Sequence, residues 1–276
     1  MTRVVVASYN VHGGVDGWGR PFDVVAACRQ VDADVLILQE TWSPDDGVSM
    51  AQSVARRLGY DAVELFFARG RIVAPPDVAP DRWGPRLWAR NVHGMRLDRP
   101  HPESARHRDR DGARSDHKAV QRGAWGIAVL SRLPVQGSQT IDLGKLPTDP
   151  CRRGAIVVDV ELPGTGIPFR VAGTHLAHLS QGSPLHITAL RGALHDLAPV
   201  PAVLAGDMNL WGPPLTMLFP GWARAVRGRT WPAWWWWPFA QSDHILVRRS
   251  VKVESGEVLR IGGSDHLPLR ATLVIQ

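Results

Sequence analysis

The chain has 276 residues, 44% hydrophobic and 21% charged, proportions that exclude a disordered, collagen-like or coiled-coil protein. Lysine and arginine number 32 against 26 acidic residues, a net charge of only +6, which by itself identifies no partner. Two cysteines, Cys28 and Cys151, are too few for a disulfide framework or a four-thiolate metal site, so a reducing compartment is expected. The N-terminus enters a strand-like run without a signal-peptide core, and no stretch approaches the roughly 20 apolar residues of a membrane helix. A cytoplasmic, monomeric protein without stable membrane insertion is the expectation.

In chain order, Val4 to Ser8 and Val35 to Gln39 read as strands buried on both faces. Between them a helix is predicted, with Pro21 in its first turn and Val24, Cys28 and Val31 on one face. A second helix is marked by a Ser49–Gln52 capping box, the stripe Ala51, Val54, Ala55, Leu58, and Gly59 as its stop. Asp61 to Phe67 is the next strand. From Gly70 to Gly123 the pattern is irregular, rich in proline and arginine, and reads either as a solvated mixed-charge loop or as a phosphate-facing arm. Strands resume at Trp125 to Leu130, Val135 to Leu143, Ala155 to Leu162 and Phe169 to Gly173, spaced as in antiparallel meanders. A helix follows from Pro184, with Ser183 as its N-cap and Ile187, Leu190, Leu194 and Leu197 on one face. The last strands are Val200 to Ala205, Ile245 to Val247, Val251 to Leu259 and Leu267 to Val274. No linker divides the chain, so residues 1–276 read as one domain carrying an irregular insertion at about 70–123.

The polar residues that could do chemistry fall at strand ends. Asn10, Glu40, His175 and Asp207 with Asn209 follow apolar strands, while Asp243 and Asp265 with His266 open them. In α/β architectures those ends line the ligand crevice. Oxygen donors without thiolates favour hard Mg²⁺ or Mn²⁺ over Zn²⁺. HExxH, Walker A and GxSxG patterns are absent, and adjacent strand residues point to opposite faces, so Ser264-Asp265-His266 is not itself a triad. A hard metal with spare carboxylates and histidines suits phosphate-ester hydrolysis. His12, two residues past Asn10, reads either as a residue of a glycine-rich turn or as one that reaches the site, His244 as a packed residue, and Ser115-Asp116-His117 as a coincidence. Arg152 and Arg153 are either a phosphate grip or a solvated strand end. Trp231 and Trp234 to Trp237 cannot all face inward, so some are expected at the substrate mouth, where they could stack on bases or receive an acyl chain.

The segments Tyr9-Asn10, Leu38-Gln39-Glu40-Thr41, Gly173-Thr174-His175-Leu176, Ala205-Gly206-Asp207-Met208-Asn209, Ser242-Asp243-His244-Ile245 and Gly263 to Pro268 occur in the order found in the endonuclease/exonuclease/phosphatase superfamily, which this chain resembles. The resemblance runs from Val4 to Val274 and leaves residues 70–123 unmatched. It implies a four-layer αββα sandwich, two mixed β-sheets face to face with helices outside, and a metal-dependent phosphoester hydrolase. Carried over, it makes Glu40 the principal metal carboxylate for Mg²⁺ or Mn²⁺, with Asn10 and Asp265 in the metal shell. Asp207 would align or deprotonate the attacking water, Asn209 would hold a phosphate oxygen or that water, and His266 would contact the scissile phosphate with its tautomer fixed by Asp243. His175 would add a donor for the transition-state charge. The first reading is a phosphodiesterase acting on nucleic acid. A phosphomonoesterase or lipid phosphodiesterase, of inositol-phosphate or sphingomyelin type, is the alternative. A non-catalytic binding protein on the same fold comes third.

Overall fold

The computed structural model describes residues 1–17, 21–74, 96–97, 119–164, 166, 168–233, 237–248 and 250–275. One sheet is built from β1 (Thr2–Asn10), β2 (Val35–Pro44), β3 (Asp61–Ala74), β4 (Arg96–Leu97), β5 (Ala119–Ser131), and, from the end of the chain, β12 (Lys252–Val258) and β13 (Leu269–Ile275). The other holds β6 (Val135–Gly144), β7 (Arg153–Glu161), β8 (Pro168–His175), β9 (Ala202–Asp207), β10 (Trp222–Arg224) and β11 (Asp243–Arg248). Their orders are β12-β13-β1-β2-β5-β3-β4 and β10-β11-β9-β8-β7-β6. Each sheet contains one parallel pair, β1 with β2 and β8 with β9, and is otherwise antiparallel. Parallel neighbours need a long crossover. Helix α1 (Val24–Val31) lies in the first crossover and α3 (Ser183–His195) in the second.

Side-chain alternation makes the layers. On β2, Val35 and Ile37 enter the core between the sheets, while Leu36 and Leu38 face α1 and α2 (Met50–Leu58). On the second sheet, Ile156, Val171 and Val203 point inward, and Val157, Ala172 and Leu204 pack under α3 and α4 (Gly212–Leu218). Both faces of the central strands are therefore dry, which is why they read as unbroken apolar runs. The result is the expected αββα sandwich of two mixed sheets.

Several boundaries differ from the sequence reading for identifiable reasons. Pro21 is outside α1: it bridges to Val15, and Asp23 caps the helix by accepting the Ala26 N–H. Ser183 is the first residue of α3, not its cap, because Gly182 turns the chain at φ 103°. Ser49 caps α2 as expected, accepting the Gln52 N–H, and Gly59 ends it at φ 73°. Residues 70–123 are not irregular throughout. Strands β3 and β5 continue as an antiparallel ribbon from Gly70↔Gly123 to Ala74↔Ala119, and Arg96–Leu97 pairs with its edge. The rest of that region, including Arg99, Arg106 and Ser115-Asp116-His117, lies outside the described residues, as do Trp234 to Trp236. The last strand starts two residues late, since Pro268 has no N–H for a ladder and Leu267 donates instead to the Thr230 carbonyl. Ser264, Asp265 and His266 consequently sit in a bend ahead of β13, not on a strand.

Candidate active site

Topology explains how residues far apart in sequence reach one rim. Strands β1 and β2 run parallel, so Asn10 and Glu40 leave the first sheet at the same edge. Strands β8 and β9 are also parallel and in register at His175↔Asp207. Strand β11 runs against β9 with Asp243 opposite Asp207, and β13 runs against β1, so the residues that begin these strands meet the residues that end their neighbours. This is the carboxyl-end crevice of open α/β sheets, shared here by two sheets.

Glu40 is aimed there by a β-bulge. The β2–β5 register slips between Gln39 and Thr41, leaving Glu40 outside the ladder at φ 58°, a conformation uncommon for a residue with a Cβ. Asn209 follows β9 at φ 49°, with its N–H on Asp207 Oδ1 at 2.9 Å.

Asn10 joins the two sheets. Its Nδ2 donates to Glu40 Oε1 and to Asp207 Oδ2, both at 3.2 Å, and its Oδ1 accepts the His12 N–H at 3.0 Å. Its amide thus faces the carboxylates as a donor. His266 Nδ1 lies 2.8 Å from Asp243 Oδ2, which also accepts from Ser242 Oγ at 3.1 Å, and His266 Nε2 is 3.8 Å from Asp207 Oδ2. His175 Nε2 stands 3.9 Å from Asp207 Oδ2, 4.0 Å from Glu40 Oε1 and 3.4 Å from Asn209 Nδ2. Asp207, Asp243 and His266 each bring one ligating atom within 4.8 Å of the others. Seven of the eight residues singled out in the sequence are thus linked along one rim, and Asp265 joins them through His12, whose N–H is held by Asn10 Oδ1 and whose Nδ1 lies 3.3 Å from Asp265 Oδ1.

The electrostatics are those of a site short of positive charge. Burial lifts the Glu40 carboxyl above its ordinary range, the Asp265 charge lifts it further, and His12, His266 and Asn10 only partly offset this. Burial alone would drive His266 neutral, but Asp243, Asp265 and Asp207 outweigh it and hold the imidazole well above its usual value. His175 goes the other way, down to about 3, through burial and the Arg153 charge. It is a neutral imidazole. Asp243 Oδ1 is buried with no hydrogen-bond partner among the described residues. Oxygen donors in excess of protein cations, one of them orphaned, fit a hard divalent cation.

Three further contacts adjoin the candidate site. His12, read either as a turn residue or as one that reaches the site, sits in a turn at φ 45°, and its Nδ1 is 3.3 Å from Asp265 Oδ1. Trp231 Nε1 donates to Asp265 Oδ2 at 3.3 Å, and Trp125 packs edge-on against His175 with centroids 5.4 Å apart. Proximity of His12 to Asn10 was the one available signal. Trp237 and Phe239 are exposed, and Phe239 packs on Trp231, so aromatic surface adjoins the Asp265 side of the rim. His244 is buried, with Nε2 2.8 Å from the Leu210 carbonyl, as expected of a packed residue. Arg153 is neither solvated nor offered outward: it is buried, paired twice with Asp149 at 2.8 and 3.2 Å, and lies over Trp125. Arg152 is exposed and pairs with Asp142.

The family model for the endonuclease/exonuclease/phosphatase family matches residues 7–266. No curated protein matches the sequence. Among solved structures, the human nocturnin catalytic domain with bound sulfate is similar at 17% identity and a TM-score of 0.64, covering 100% of this chain and 94% of that one. A mannosyl-6-phosphatase from Bacteroides thetaiotaomicron is similar at 16% identity and a TM-score of 0.62, over 99% and 100% of the two chains. A third, D. rerio TDP2 complexed with single strand DNA product, is 14% identical with a TM-score of 0.58 over 99% and 100%. At these identities the likeness is one of fold.

Proposed function

Because the chain belongs to the endonuclease/exonuclease/phosphatase family, we propose that it is a divalent-metal-dependent phosphoester hydrolase, acting as a phosphodiesterase on nucleic acid. The observation that carries this reading is the Asn10 amide bridging Glu40 of one sheet and Asp207 of the other, beside the hydrogen-bonded Asp243–His266 pair.

Glu40 and Asp265 are the carboxylates that would hold Mg²⁺ or Mn²⁺, with Asn10 alongside them. A cation bound there supplies Lewis-acid stabilisation of phosphate oxygens. The protein's own groups do the rest. Asp207, its Oδ2 held by Asn10 and its Oδ1 by the Asn209 N–H, is fixed as an acceptor that orients the attacking water and takes its proton. His266 carries positive charge toward the phosphate from Nε2 while Asp243 engages Nδ1 and fixes the ring. Neutral His175 and Asn209 face the same space; the Asn209 amide donates to the Leu176 carbonyl and stands 3.4 Å from His175 Nε2, so the imidazole would donate to a phosphate oxygen as its Nε2–H tautomer. The aromatic surface at Trp231, Trp237 and Phe239 favours a substrate with planar groups to stack, hence a nucleic acid.

A second reading, a phosphomonoesterase, draws support from the mannosyl-6-phosphatase among the similar folds. Assaying plasmid DNA, abasic duplex, RNA, inositol phosphates, sugar phosphates and sphingomyelin with Mg²⁺ and with EDTA separates them. Cleavage of a polynucleotide that EDTA and Asp207→Ala both abolish is the expected outcome. Turnover surviving both would end the mechanism, and turnover confined to monoesters would end the assignment of substrate.

A further inference from the structure

A cavity of about 490 Å³ opens where the C-terminal end of α3 meets β10 and the far end of β11. Asp243 begins β11 and Arg248 ends it, so at about 3.4 Å per residue the cavity lies about 17 Å from the candidate active site. Its walls are Arg191, His195, Trp222, Arg248 and the Pro220-Gly221 turn, with no carboxylate among the lining residues.

Both guanidiniums are held in place. Arg191 Nη1 donates to the Leu218 carbonyl and Arg248 Nη2 to the Leu194 carbonyl, each at 3.1 Å, and Arg248 lies over the Trp222 ring at 5.5 Å. Phe219 packs edge-on against that indole from another side, with centroids 6.2 Å apart. Those bonds engage one carbonyl at each of the two helix ends, and the two guanidiniums set positive charge against the negative ends of the helix dipoles. A guanidinium has five N–H donors, and neither arginine is paired with a carboxylate among the described residues. Two preoriented cations with unused donors, an imidazole and an apolar wall share a space the size of small-molecule sites.

We propose that this cavity binds a phosphomonoester of metabolite size, its phosphate on Arg191 and Arg248 and its organic part against Trp222 and Pro220. This goes beyond the hydrolytic reading and does not depend on it.

The test is calorimetric titration in EDTA-containing buffer with adenosine 5′-monophosphate and glucose 6-phosphate, set against adenosine and glucose. At least one phosphorylated probe should bind at least about tenfold more tightly than its unphosphorylated counterpart. Arg191→Gln and Arg248→Gln should each weaken that binding by about tenfold or more, the scale of one charge-assisted contact. Asp243→Asn should leave it unchanged. Arg248→Gln also removes a helix-end bond, so if it fails to fold, Arg191→Gln with an unaltered melting midpoint decides the matter. Binding that the arginine variants retain, or that Asp243→Asn removes, would overturn the proposal, as would equal binding of adenosine and its monophosphate or no binding by either phosphorylated probe.

Discussion

Asp243→Asn is the substitution that most sharply tests the imidazole's role. It keeps size and shape while replacing a carboxylate with an amide 2.8 Å from His266 Nδ1. Asp243 is almost wholly buried at 1% exposure, so solvent does not screen the loss. An amide oxygen can still accept from Nδ1, which preserves ring orientation; what disappears is the charge that sustains the imidazolium. A hydrogen bond to a charged group is worth about 1.5–3 kcal/mol net, which converts to a rate loss of about 10- to 150-fold. The loss should fall on kcat more than on KM, because His266 is proposed to act on charge that grows toward the transition state. Steady-state kinetics on the best substrate from the panel measures both, with circular dichroism confirming an intact fold. A kcat within about twofold of the parent, or a loss confined to KM, would remove His266 from the chemical step.

Three further outcomes follow from the geometry. Glu40→Gln should weaken Mn²⁺ binding by about tenfold or more, read by electron paramagnetic resonance, and unaltered affinity would exclude Glu40 as a ligand. Asp149→Ala leaves the buried Arg153 guanidinium without its partner, and urea denaturation should show a loss of about 3–5 kcal/mol; a change under about 1 kcal/mol would mean that water reaches the arginine. Gly206→Ala places a Cβ 1.9 Å from the Thr174 carbonyl oxygen at φ 149°, and should cost about 3 kcal/mol or more, whereas an unshifted denaturation midpoint would show that β8 and β9 can separate there.

The layers were legible because burial on both strand faces leaves an unbroken apolar signature, as in Val35 to Leu38 and Val203 to Ala205. The candidate-site residues stood out as a group because each polar cluster sits at one end of such a run. What could not be read were contacts made by turns. His12 and Trp231 reach Asp265 only because the bend at residues 262–266 stands ahead of β13, and Pro268 moves that bend outside the ladder. Arg153 read equally as a phosphate grip or a solvated strand end because its partner Asp149 precedes β7 in a segment without periodicity. The long β3–β5 ribbon was hidden by the prolines and arginines that follow Ala74, which masked pairing set by distant register and not by local pattern.

The same register argument accounts for the shape of the site itself. Glu40, Asn209 and His12 all adopt positive φ, at 58°, 49° and 45°, and none is glycine. Each departs from a strand just where a polar side chain must leave the sheet's alternation and turn along its edge. Regular strands would send successive side chains to opposite faces, into one dry core or the other. A bulge at Glu40 and tight turns after Asn10 and Asp207 break that rule at three points, at about 1–3 kcal/mol apiece. The apolar sandwich holds those departures in place, and the carboxylates and imidazoles of two sheets thereby meet at a single rim.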